Sequence, residues 1–253
     1  MKVLITAGAF LILGIAANAG TIVVSGDTNI GNGIDGDSGS VVVAGNSTFF
    51  RNLLGSGTSV LIETTPNGDS SEIGSQAAII AFYTGLSGVT VTTTATATAA
   101  NLTGKSLYIS LEHDAAYSGT EISAISAYLA GGGTALFTGE WGGFDAAGDA
   151  FLNAALTALG SPMQLDAASD DLGFHTASGG QIVPGALTAG VTGFSYAATS
   201  GVTGGNPVFL TTGGPAFIET SSALAAVPEP STLLLVGGAG FALAAWRRRR
   251  AIN

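Results

Sequence analysis

The sequence predicts an α/β fold: a mostly parallel, doubly wound sheet with a β-rich part added at its C-terminal side. Two observations carry this. Short runs rich in β-branched residues alternate with stretches whose apolar residues recur at helical spacing, and glycine closes most of those stretches. Beyond Asp171 the helical stretches stop, and short β-like pieces alternate with glycine-rich turns. Strands separated by helices pair in parallel through crossovers, whereas strands separated by tight turns pair antiparallel.

The elements follow in order. Thr21–Ser25 (TIVVS) is a strand. Asp37-Ser-Gly-Ser40 reads as a turn and 41–43 (VVV) as a strand. Residues 48–54 form a short helix closed by Gly55, and 59–62 (SVLI) a strand. Residues 72–83 carry apolar side chains at helical spacing, with Gly85 as the stop. Residues 89–94 are a β-branched strand, and the Thr/Ala run 90–100 is a strand with its exit loop or an O-glycosylated patch. Residues 107–111 (LYISL) form the next strand. Ser118-Gly-Thr-Glu121 is a capping box that opens a helix with Ile122, Ile125 and Leu129 on one face. Gly131-Gly132-Gly133 ends that helix, and Thr134–Thr138 is a strand. Residues 145–159 are a helix with Gly160 as terminator, followed by a β-like 163–165. Residues 208–211 and 216–220 then add antiparallel edge strands.

The two ends read differently from the body. Lys2 supplies a positive start, an apolar run follows, and Ala17-Asn18-Ala19 spells a small-residue cleavage site. These are the three parts of a secretory signal, so residues 1–19 are expected to be removed and the mature chain to begin at Gly20. At the other end, Val227-Pro228-Glu229-Pro230 precedes an apolar run that ends at Trp246, and Arg247, Arg248, Arg249 and Arg250 follow. Neither proline donates a backbone hydrogen bond, so a helix must start after Pro230. A helix over 231–246 would be roughly 24 Å long, short for a hydrocarbon core of about 30 Å. Local thinning and snorkelling arginine stems must close that gap. The arginines then stay cytoplasmic under the positive-inside rule.

Pro-Glu-Pro, a short hydrophobic stretch and a terminal arginine cluster, in that order, resemble the PEP-CTERM sorting signal. The resemblance covers 227–250. It implies export by a Gram-negative bacterium through the translocon, and processing by a membrane transpeptidase, exosortase. The precursor would be tethered in the inner membrane, and the product would reach the outer surface or an exopolysaccharide matrix. The chain thus divides into a signal peptide at 1–19, an exported α/β domain at 20–226, and a sorting segment at 227–253.

Within the body, the order of elements over 107–165 resembles class I glutamine-amidotransferase-like domains, the trehalose-utilisation-type relatives among them. The amidotransferase members use a cysteine nucleophile, and this chain has no Cys. No catalytic residue is carried over.

Three groups of residues could bear chemistry. Glu112-His113-Asp114 follows one predicted strand and Glu140-Trp141 another. In an open α/β sheet, sites form at the carboxyl ends of strands. His113 would be a base and Glu112 and Glu140 a carboxylate pair, the parts of a glycan-acting hydrolase. Asp27, Asp35 and Asp37 crowd a glycine-rich loop, which suits a weak calcium site, although the EF-hand spacing fails. Gly31-Asn-Gly33-Ile-Asp-Gly36 spells a dinucleotide fingerprint, but turn and strand follow it rather than the required helix. Gly193-Phe-Ser195-Tyr-Ala197 falls short of a nucleophile elbow. Asn46-Ser-Thr48 and Asn101-Leu-Thr103 are glycosylation sequons by spelling.

Charge narrows the field. Only Arg51 and Lys105 lie between the ends of the chain, against 16 acidic residues. Such a body cannot neutralise a phosphate backbone, which excludes nucleic acid as a partner. Lack of cysteine excludes disulfides, thiolate metal sites and iron–sulfur clusters. The expectation is an exported surface or matrix protein with a non-catalytic α/β domain and no cofactor unless calcium. It would associate with exopolysaccharide, and the hydrolase is the alternative.

Overall fold

The computed structural model describes residues 20–64 and 70–223. The expected signal peptide and its cleavage residues Ala17 and Ala19 lie outside the described residues. So do Val227 to Pro230, the span 231–246 and the four arginines. Among the described residues no helix is long and apolar enough to cross a membrane.

The first half alternates strand and helix: β1 (Thr21–Ser25), a short α1 (Asn32–Asp35), α2 (Ala44–Leu54), β2 (Ser59–Glu63), α3 (Ser70–Thr84) and β3 (Thr90–Thr94). A short α4 (Ala99–Leu102), β4 (Leu107–Ser110), α5 (Gly119–Ala130), β5 (Thr134–Thr138) and α6 (Gly142–Ala158) continue it. Strands alone follow: β6 (Gln164–Asp170), β7 (His175–Ser178), β8 (Gly193–Tyr196), β9 (Thr199–Thr203), β10 (Asn206–Leu210) and β11 (Ala216–Ser222). The main sheet has seven strands in the order β10-β11-β1-β5-β4-β2-β3. From β1 to β3 every neighbour is parallel, while β11 runs antiparallel to both β1 and β10. β6 with β9 and β7 with β8 make two small antiparallel pairs.

The inner parallel strands β1, β2, β4 and β5 are apolar on both faces because helices cover both. Val23, Val60, Ile62, Ile109 and Leu136 pack under α2 and α3, meeting Phe49, Phe50, Ile79 and Tyr83. The alternate residues, Ile22, Val24, Leu61, Tyr108 and Phe137, pack under α4, α5 and α6. Such doubly covered strands read as near-continuous apolar runs, as these do. Phe49 and Phe50 are fully buried, worth about 1.5–3 kcal/mol each in transfer free energy. Tyr83 donates its hydroxyl to Phe50 O at 2.7 Å, which satisfies the one polar atom that this layer buries with the ring.

The expected central strands and their flanking helices are present, and the added strands are antiparallel as predicted. The expected strand at 41–43 is absent. That stretch is coil leading into α2, with Val41 58% and Val42 59% exposed. A β-branched run forms a strand only where an edge is free to pair and a face is covered. Here the chain instead turns through two helical segments, 32–35 and 37–39, before α2 begins.

Candidate functional site

The carboxyl ends of the parallel strands converge. Asp27 and Asn29 follow β1, Glu112 and His113 follow β4, Glu140 follows β5, and Glu72 stands in the first turn of α3. The helices after neighbouring β2 and β4 cover opposite faces of the sheet. That divergence opens the crevice in which doubly wound folds bind ligands.

Glu140 is 3% exposed and firmly held. Asn29 Nδ2 donates to its Oε2 at 3.0 Å, and Trp141 N donates to its Oε1 at 2.9 Å. Its own backbone N donates to Asp149 Oδ1 at 3.0 Å. Ser200 Oγ donates to Asp149 Oδ2 at 2.9 Å and so ties α6 to β9. Asn29 is itself fixed, because Ser71 Oγ donates to its Oδ1 at 2.6 Å. Glu72, Glu112 and Glu140 each offer one carboxylate oxygen, and the three oxygens lie within 4.8 Å of one another. Burial first, and then the neighbouring carboxylates, raise the Glu112 and Glu140 carboxyls well above the ordinary range. Burial likewise raises Asp149 to about 6.

His113 does not join this group. Its Nε2 is 3.3 Å from Glu63 Oε1, its Nδ1 is 3.3 Å from Ala115 O, and its ring stacks on Tyr117 at 3.9 Å between centroids. With Glu121 it forms a second cluster, Glu63–His113–Glu121. Both ring nitrogens face acceptors, the arrangement of an imidazolium. Burial opposes that charge, but the bond and attraction to Glu63 outweigh it and raise the His113 pKa. Burial also opposes ionisation of Glu63, yet His113 and the Tyr108 hydroxyl together hold its carboxyl below the usual value. The expected constellation of Glu112, His113 and Glu140 is therefore split. Consecutive residues of an extended segment point to opposite sides, and Glu112 and His113 end in different clusters. Glu72 takes the place expected for His113. In the sequence it reads only as an acid in the first turn of a helix, where the helix dipole alone explains it.

The loop aspartates are not a ligand set either. Asp27 is fully buried and accepts Asn29 N at 2.6 Å and Ala197 N at 2.7 Å. Asp35 and Asp37 are exposed and accept hydrogen bonds from backbone N–H groups of their own turn. The glycine run 31–36 opens no dinucleotide helix: α1 is four residues long and ends at Gly36. Ser195 is buried within β8, away from any elbow. Asn46 is 0% exposed, and both ends of its amide are engaged.

A pocket of about 290 Å³ opens beside the acidic cluster, lined by Asn29, Glu72, Glu140, Trp141, Phe144 and Phe174 among others. Phe144 is 73% and Phe174 50% exposed, and the Trp141 and Phe144 rings meet edge to face at 4.8 Å. The site is an acid-floored, aromatic-rimmed pocket that no described lysine or arginine enters. Arg51 lies over the Phe82 ring, and Lys105 donates to Thr92 Oγ1.

The fold and this pocket define a doubly wound α/β domain with its site at the strand carboxyl ends. Residues 226–250 match the family model of the PEP-CTERM protein-sorting motif. The chain thus carries a PEP-CTERM protein-sorting motif near its C-terminus, a signal of the kind found on exported proteins that exosortase processes at the membrane. No curated protein and no solved structure matches the chain.

Proposed function

We propose that the chain is delivered by residues 1–19 and tethered in the inner membrane through 231–246. Cutting near Pro228-Glu229-Pro230 then releases it to the outer surface or an exopolysaccharide matrix. The sorting motif at 226–250 carries this reading. In it the body is a non-catalytic module that contacts polysaccharide through the rim of its pocket. Exposed aromatic rings such as Phe144 support that part, because a ring face gives apolar stacking area for a sugar. The rival reading, a glycan-acting hydrolase, needs Glu112, His113 and Glu140 at one pocket, and His113 is bonded to Glu63 instead. The body keeps its proposed kinship with amidotransferase-like domains as a matter of element order alone.

The test is a variant with Glu229 and both flanking prolines replaced, expressed in an exosortase-bearing host. Wild type should be shortened at its C-terminus and leave the inner membrane, while the variant stays uncut and membrane-bound. Mass spectrometry that found Arg247 to Arg250 intact on the surface protein would overturn the proposal. Release of reducing sugar from exopolysaccharide, abolished by Glu140→Gln, would establish the hydrolase instead.

A further inference from the structure

We propose that Glu72, Glu112 and Glu140 bind a hard divalent cation of the calcium type, at a site distinct from the loop aspartates. The inference does not depend on the sorting motif.

The first support is geometric. Three carboxylate oxygens, one from the start of α3 and one from just beyond each of β4 and β5, lie within 4.8 Å of one another. That spacing leaves room for one ion at about 2.3–2.6 Å from each oxygen. The second support is Glu112 itself. It is 3% exposed, and neither of its carboxylate oxygens receives a hydrogen bond. The groups beside it are the carboxyls of Glu72 and Asp145, which bond it only if a proton is shared. A buried, unpaired carboxylate costs several kcal/mol and is ordinarily neutralised or coordinated to a metal. Among the described residues no protein cation does this. Arg51 and Lys105 are engaged elsewhere, and the His113 Nε2 faces Glu63.

The surroundings are built for a group larger than a proton. Gly148 of α6 faces the cluster, and a Cβ there would lie 2.2 Å from Asp145 Oδ2 and 3.1 Å from Glu112 Oε1. Only glycine leaves the carboxylates that space. Asn29 and the Trp141 amide orient Glu140, as outer hydrogen bonds orient metal ligands. Glu72 and Glu140 also line the pocket, so an ion has a path from solvent and open positions for water or a ligand oxygen. An all-oxygen donor set without His or Cys selects calcium or magnesium over zinc or copper. Ligands drawn from three separate elements suit the flexible coordination of calcium better than the strict octahedron of magnesium.

The test uses the processed protein purified from the exporting host, freed of metal with chelator and titrated calorimetrically with CaCl2 or MgCl2 alone. One calcium should bind, tighter than magnesium, and calcium should raise the melting temperature. Glu112→Gln and Glu140→Gln should each weaken calcium binding by at least about tenfold, the loss that even an outer-shell change can cause. Asp35→Asn and Asp37→Asn should leave it unchanged. Folding of the variants is checked without metal, where Glu112→Gln should melt near or above the wild-type temperature because the neutral amide needs no proton to sit beside the neighbouring carboxyls. Absence of calcium binding at millimolar concentration would overturn the proposal. So would tighter binding of magnesium, or binding that survives Glu112→Gln but is lost in Asp35→Asn.

Discussion

Asn46 and Ser195, 149 positions apart, pair as two strand residues would, although one partner is a side chain. Asn46 Nδ2 donates to Ser195 O at 2.8 Å, and Ser195 N donates to Asn46 Oδ1 at 2.8 Å. The same Nδ2 donates to Ile30 O at 2.9 Å. One fully buried amide thus ties α2 to β8 and to the turn after β1. Asn46→Ala would leave three buried backbone groups without a partner and should cost about 3 kcal/mol. Denaturant unfolding should show a lower midpoint with an unchanged slope. The same burial means that the sequon at Asn46 carries no glycan in the folded protein.

A Cβ on Gly45, the neighbouring residue, would lie 1.7 Å from Gly193 O. The obstacle is backbone on both sides, so no rotamer change relieves it. Gly45→Ala should be among the most damaging small substitutions in the chain, above about 4 kcal/mol. A variant that melts near wild type would show that α2 and β8 do not meet this closely.

Tyr108 illustrates a polar tip served by the neighbouring strand on the same face of the sheet. Its ring is buried, and its hydroxyl donates to Glu63, which also faces His113. Tyr108→Phe keeps the packing and removes the donor, so it should cost about 2 kcal/mol, the range for bonds to charged groups. By NMR titration the pKa of Glu63 should move up in the variant, since one of the bonds that lower it is gone.

Asp171 gives a pH dependence with a definite sign. Burial opposes its charge, but bonds from Thr212 and Tyr196 outweigh this and hold its carboxyl below the usual 3.8. A carboxylate lowered on folding adds stability above its unfolded pKa, and that stability is lost as pH falls through the folded pKa. Asp171→Asn should therefore melt below wild type at neutral pH, with the gap closing as the pH drops below about 4. A gap that stayed constant from neutral pH to acid would contradict this.

The box at the start of α5 is the local feature most directly readable from sequence. Ser118 N donates to Glu121 Oε2 at 2.8 Å, and Glu121 N donates to Ser118 Oγ at 3.2 Å. Ser118→Ala should cost about 1 kcal/mol, measurable by thermal unfolding.

That box shows which information the sequence holds. Its four residues act on one another, as do the glycine stops and the apolar runs of β1, β2, β4 and β5, so reading along the chain recovers them. The place of β11 between β10 and β1 depends on a pairing of Thr21 with Ser222, across nearly the whole body, and no local pattern signals it. The site divides in the same way. Glu112 and Glu140 were legible as acids at strand ends. The exclusion of His113 turns on which side of the chain one residue points to. The inclusion of Glu72 turns on where a helix begins to cross the sheet. Val41 to Val43 failed for the opposite reason: their strand propensity is real, but the edge of β8 near Val43 is taken by the Asn46 amide.

The base of the sheet has a bearing on how such a protein would be displayed. β1 and β11 are neighbours, and Ala223 N donates to Gly20 O at 2.7 Å, so the body begins and ends at one point. That point is at the amino ends of the parallel strands, and the acidic pocket is at their carboxyl ends, about 17 Å away along five residues of β1. Whatever holds the chain through its C-terminal segment therefore grips it from beneath, like the foot of a goblet. In the display proposed above, the mouth of the goblet would lie at the end of the sheet away from that grip.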